Sequence, residues 1–161
     1  MIEILITENQ IKRAKKLYSF NNLNNSITKG KSEIYGAIGE IVTLDFYNRE
    51  SLNASYVGSF DYDLRIFDKR VDVKTKKVNN APELNHNATI PAANTKQKTD
   101  IYLFVYVLSD FTKAFLVGWL PKDLFFETAT LKRKGEFDGN TFFQYRADTY
   151  STTLDKLYAV K

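Results

Sequence analysis

The eight residues Ile101-Tyr102-Leu103-Phe104-Val105-Tyr106-Val107-Leu108 form an unbroken apolar run rich in β-branched and aromatic side chains. A strand sends alternate side chains to opposite faces, so a run without a polar position has to be covered on both sides. This places a central strand inside a layered fold. Lys113 to Trp119 reads as its hairpin partner, and Pro121 suits the first position of a short helix reaching Phe126. At 161 residues, 43% hydrophobic and 14% aromatic, the chain holds enough apolar material for one packed domain, and no repeat or linker divides it.

Upstream, Thr7 to Phe20 reads as a helix. Thr7 and Gln10 form a capping-box pair, and Ile11, Ala14, Leu17 and Tyr18 recur at helical spacing beside Lys12, Arg13, Lys15 and Lys16. Asn21-Asn22-Leu23-Asn24-Asn25 breaks the pattern. A second helix is expected from Lys31 or Ser32 to Tyr47, followed by strands near Ala54–Gly58, Tyr62–Phe67 and Arg70–Val78. Asn79 to Lys98 is polar, contains Pro82 and Pro91, and has room for one short helical turn; so long a connection is usually functional or mobile. From Thr141 onward the chain offers one or two edge strands or a short helix around Leu154–Leu157.

Several chemistries drop out early. There is no Cys, hence no disulfide, thiolate metal site or cysteine nucleophile. His86 is the only histidine, which excludes histidine-rich metal centres and HNH-type nucleases, and in an Asn-rich loop it reads as solvated. Gly30-Lys31-Ser32 imitates the end of a phosphate-binding loop, but Asn25 stands where the first glycine belongs and no apolar strand precedes it. The apolar start Met1–Ile6 is too short for a signal peptide, and no run approaches the roughly 20 apolar residues of a membrane span. A cytoplasmic location, in a bacterial or phage-infected host cell, is the expectation. The formal net charge of +4 favours a polyanionic partner without requiring one.

Two anomalies remain. Ile34 to Leu44 is apolar or small on nearly every face, yet Glu40 sits at its centre. A buried carboxylate needs a cation, a metal or a proton, although a single glutamate more often reaches solvent or meets a structural Lys or Arg. Gly36 and Gly39 each cost up to about 1 kcal/mol inside a helix, which close approach of a backbone or ligand would explain. The second anomaly is Asp61-Tyr62-Asp63-Leu64-Arg65-Ile66 followed by Val71-Asp72-Val73-Lys74-Thr75. Both segments alternate polar with apolar. With Asp68-Lys69 as the turn, residue 66 faces 71, and Asp63, Arg65, Asp72 and Lys74 emerge on one face. A slip of one residue would send Asp63 to the other side, whereas Asp72 and Lys74 share a face in any register. Converging carboxylates suit a hard divalent cation such as Mg²⁺ or Mn²⁺, and a neighbouring ammonium can stabilise charge on a phosphoryl group. The acid-x-Lys triplet at Asp72-Val73-Lys74 is the only one in the chain, a frequency chance alone would give.

A helix bearing a glutamate, an Asp at a strand, and Asp-x-Lys on the next strand occur here in a specific order. With Gly36-Ala37-Ile38-Gly39-Glu40, Tyr62-Asp63-Leu64 and Asp72-Val73-Lys74, the chain resembles the PD-(D/E)XK, or restriction-endonuclease-like, nuclease superfamily. Gln97-Lys98-Thr99-Asp100 and Val117-Gly118-Trp119-Leu120 are similar to small phage and bacterial members. The resemblance runs from about residue 31 to 121; Tyr62 replaces the proline that names the motif.

It implies an αβββαβ core with a mixed sheet flanked by helices, the second core helix falling within Asn79–Lys98. It also implies a metal-dependent endonuclease acting on DNA. Glu40, Asp63, Asp72 and the Val73 carbonyl would be Mg²⁺ or Mn²⁺ ligands and Lys74 the catalytic lysine. Gln97 would sit near the metal, while Lys76, Lys77 and Lys98 would contact nucleic acid. A junction-resolving or repair nuclease, dimeric in form, and a non-catalytic nucleic-acid-binding or phage accessory protein remain alternatives.

Overall fold

The structure is a computed structural model that describes residues 1–21, 33–138 and 143–160, without the side chains of 18–21. Its centre is a six-stranded mixed sheet in the order β1-β7-β6-β4-β3-β2. In chain order the elements are β1 (Ile2–Leu5), α1 (Glu8–Asn21), α2 (Glu33–Arg49), β2 (Ala54–Tyr56), β3 (Leu64–Ile66), β4 (Lys69–Val78) and β5 (Asn87–Pro91). A 3₁₀ turn (Ala92–Lys96) leads to β6 (Ile101–Leu108), β7 (Lys113–Pro121), α3 (Lys122–Thr128), β8 (Thr130–Lys132), β9 (Thr149–Thr153) and a last 3₁₀ turn (Leu154–Lys156). The expected α/β class holds.

β6 is the central strand its composition demands. Leu103, Val105 and Val107 join Ile38 and Val42 of α2 in one core, while Tyr102, Phe104 and Tyr106 join Phe125 of α3 and Leu154 in another. β4 runs parallel to β6, with Asp72 beside Tyr102 and Lys74 beside Phe104; β7 runs antiparallel to β6. The Thr7–Gln10 capping box forms: Gln10 N–H donates to Thr7 Oγ1 at 3.2 Å, and Thr7 N–H donates to Gln10 Oε1 at 3.0 Å. Gly39 earns its position, since a Cβ there would overlap Thr75 Oγ1 and stand 3.1 Å from Thr75 Cβ; α2 lies on β4 because this residue has no side chain. Gly36 has open space around its missing Cβ, so close approach does not account for it.

Two expectations are corrected. No second core α-helix occupies Asn79–Lys98. The segment forms β5, which pairs antiparallel with β9, and one 3₁₀ turn. The prolines and asparagines deny it a helical repeat, while Ala88 and Ile90 fill the core behind β6 as alternate residues of a strand. The β3–β4 turn is Phe67-Asp68, not Asp68-Lys69, with Ile66 opposite Lys69 and Leu64 opposite Val71. Met1–Ile6, read only as too short for a signal, supplies the edge strand β1 against β7.

The start of α2 at Lys31 or Ser32, Gly30-Lys31-Ser32 and most of the Asn21–Asn25 break lie outside the described residues, as do the first two residues of the tail from Thr141. Among the described residues no helix is long and apolar enough to cross a membrane.

Candidate active site

β3 is short, and its ladder with β4 ends at Leu64↔Val71. Carried one residue further, that register sets Asp63 level with Asp72. Beyond it the edge of β4 carries Val73, whose N–H donates to Asp63 Oδ2 at 2.7 Å. A residue's N–H and C=O leave a strand on the same side, so the Val73 carbonyl also faces this edge. Asp63 thus acts as a side-chain continuation of the missing ladder.

Asp72 is 3% exposed and faces the core that contains Tyr102. Its Oδ1 accepts 3.0 Å from Gln97 Nε2, whose other N–H reaches the Phe60 carbonyl at 2.8 Å. The Gln97 carbonyl oxygen accepts from Asn94 Nδ2 at 2.9 Å and from Lys74 Nζ at 3.4 Å, so the amide has one workable orientation. Asp72 Oδ2 is buried and takes no well-aligned hydrogen bond, although Lys74 Nζ stands 2.5 Å away. The same ammonium lies 5.6 Å from the centre of the Tyr102 ring. Gln97 is itself anchored, because Lys122 Nζ donates to its backbone carbonyl at 2.5 Å.

Glu40 comes from the middle of α2, partly buried, with the Tyr56 hydroxyl as hydrogen-bond donor. Burial, and then the negative charge of Asp63, pushes its carboxyl from an ordinary 4.5 up to about 8; Asp72 adds to the rise, and Tyr56 and Lys74 oppose it. Asp63 is pushed up to about 7 by burial and by Asp72, against the Val73 N–H and Lys74. Asp72 is raised by burial, with Lys74 and Gln97 pulling it back. Three carboxyls therefore feel one another and share a single ammonium. Near neutral pH such a cluster keeps protons unless a cation replaces them.

That donor set fits a hard divalent ion: every candidate ligand is oxygen, and Asp72 Oδ2 is a buried acceptor without a donor aligned on it. Among the described residues, however, no three acid or histidine side chains are drawn together closely enough to cage an ion as they stand. Lys74 takes the place beside Asp72, and its ammonium has to swing aside for a metal to bind there.

The four central candidates, Glu40, Asp63, Asp72 and Lys74, come together with Gln97. The lysines divide. Lys76 shares the Lys74 face, over the Tyr106 ring, whereas Lys77 lies on the opposite face over Tyr35 of α2. Lys98 is exposed beside the site, its backbone N–H bonded to Asp61 Oδ1. Arg65 is exposed, within 3.3 Å of the Tyr62 hydroxyl.

Sequence reasoning missed Tyr56, Asn94, Tyr102 and Lys122. Only Tyr102 carried a signal, as one of two hydroxyls, with Tyr106, inside an apolar strand. Hollows of about 440 Å³ beside Gln10 and Asp45, and about 600 Å³ beside Tyr47 and Trp119, are not lined by Glu40, Asp63 or Asp72. Comparison of the chain with protein-family models and with curated proteins gives no match.

Proposed function

We propose that the chain is a metal-dependent endonuclease that hydrolyses DNA phosphodiester bonds on a restriction-endonuclease-like core formed by α2, β3, β4 and β6. The observation that carries this is the meeting of Glu40 from a helix with Asp63, Asp72 and Lys74 from the sheet, where Asp63 and Asp72 raise the Glu40 carboxyl and Lys74 opposes the rise. Asp63, Asp72, the Val73 carbonyl and Glu40 would hold Mg²⁺ or Mn²⁺. When bound, the ion supplies Lewis-acid polarisation of the scissile phosphate.

The chain's own groups do the rest. Lys74, released from Asp72, offers an ammonium to the negative charge that grows on the phosphoryl oxygens. Burial and the charge of Asp63 push the Glu40 carboxyl up to about 8, so Glu40 is a group that would hold or move a proton in this site. Gln97 fixes Asp72 by donating to its Oδ1.

The decisive experiment is plasmid nicking with Mg²⁺ and with Mn²⁺. Cleavage should fall by a factor of about 100 or more in Asp72→Ala and Lys74→Ala, with circular dichroism unchanged, and should stop in excess EDTA. Full activity in either variant, or with the chelator, refutes the proposal.

A further inference from the structure

Phe60 is the most exposed large apolar side chain among the described residues, at 76%. Isolated exposed hydrophobics are common, but this one sits on an unusually fixed backbone. Its carbonyl is bound by the same Gln97 amide that binds Asp72, so one side chain ties Phe60 to the acid site. On either side the loop is closed by hydrogen bonds from Val57 and Gly58 N–H to the Asp63 carbonyl at 2.8 and 2.9 Å, and from Ser59 N–H to the Tyr62 carbonyl at 3.0 Å. The neighbouring Asp61 carboxylate receives the Lys98 N–H at 3.1 Å, which brings exposed Lys98 alongside. An exposed aromatic residue on a fixed backbone, the exposed Lys98 and the acid cluster are therefore tied to one another.

We infer that Phe60 is a stacking platform for a base next to the scissile phosphate, and that the preferred substrate is DNA with an unpaired base there, as in a single strand, flap or branch. The inference rests on the nuclease reading for its site and adds the substrate class. An aromatic face accepts any base that is free to leave its neighbours, whereas a base inside an intact duplex is already stacked. Lys98 supplies charge to the backbone without reading sequence. Preordering of the loop makes the contact effective, because little motion has to be frozen on binding.

The test uses the full chain with an oligonucleotide offered single-stranded and as a duplex, carrying 2-aminopurine beside the cleavage position. Binding is read by fluorescence in EDTA, and cleavage separately with Mn²⁺. Single-stranded DNA should bind with quenching of the base analogue. Phe60→Ala should weaken that binding about tenfold and abolish the quench, Phe60→Trp should restore both, and duplex binding should change little. An unchanged quench in Phe60→Ala, or equal losses on both DNAs, overturns the inference. Phe60-dependent stacking that persists while the wild type and Asp72→Ala are equally inert supports the single-strand platform and sinks the nuclease reading instead. Metal-dependent cleavage without a Phe60-dependent quench does the reverse.

Discussion

At the scale of single residues, the acid cluster opposes folding when no cation is bound. Glu40 and Asp63 hold their protons to about 8 and about 7 in the folded chain, well above their ordinary values of 4.5 and 3.8. Between those limits the native state binds more protons than the unfolded state, so stability falls as pH rises. The contribution is complete below pH 4 and is lost by about pH 8 to 9. Asp100, Asp110 and Asp148 are shifted the other way: Asp100 by its Arg70 hydrogen bond, Asp110 by the Thr112 N–H, and Asp148 by the Lys134 N–H. They contribute stability that is lost only as pH drops below the carboxylate range, a separate window. Melting of the EDTA-treated protein should therefore show a decline in Tm from about pH 5.5 to about pH 8.5, flattened in Glu40→Gln. A Tm that climbs across that interval would contradict the charge balance described for the cluster.

At the scale of elements, the two glycines of α2 separate packing from propensity. Gly39→Ala pushes a methyl into Thr75 and lifts the helix from β4, with an expected loss of about 2 kcal/mol. Gly36→Ala meets nothing and should gain up to about 1 kcal/mol from helix propensity. Thr75→Ala in the Gly39→Ala background removes Oγ1 and Cγ2 and should recover most of the loss. Urea titrations of the three variants check the set, and equal effects at the two glycines would defeat it. Both residues look alike in sequence, because the distinction depends on which one faces β4.

The hairpin shows the same boundary. Leu64, Ile66, Val71 and Val73 announced two strands with alternating faces, and Asp72 with Lys74 followed from spacing alone. The observed pairing differs from the expected one by two residues, which leaves every side chain on its face, so the hydrophobic pattern could not choose between them. Phe67 at φ +52° in the turn is a conformation that few sequence rules would grant an aromatic residue. β9 falls in the tail where one or two edge strands were expected, whereas β5 and β8 were illegible because neither is apolar enough by itself. β5 becomes a strand by covering the Tyr102–Phe104–Tyr106 face with Ala88 and Ile90, and β8 by pairing with β9, tertiary demands and not local preferences.

At the scale of the whole molecule, the site lies on the strand both layers share. One face of β4 carries Val71, Val73 and the Thr75 contact with α2; the other carries Asp72 and Lys74 beside Tyr102. Charge at this seam therefore acts on the fold as one unit, and a bound dication should stabilise the entire chain by linkage. Asp63→Asn provides a discriminating case. An asparagine oxygen can still accept the Val73 N–H while the negative charge disappears. In EDTA near pH 8 this variant should melt higher than wild type, by about 2–4 °C for each kcal/mol of repulsion relieved. Millimolar Mg²⁺ should raise the wild-type Tm by a similar amount and leave the variant nearly unmoved, because the substitution has already removed the repulsion and a ligand together. The two effects are then strongly non-additive, as expected of groups acting on one cluster. An equal Mg²⁺ shift in both proteins would place the ion elsewhere, and a lower Tm for Asp63→Asn in EDTA would mean that the carboxylate stabilises the metal-free fold after all.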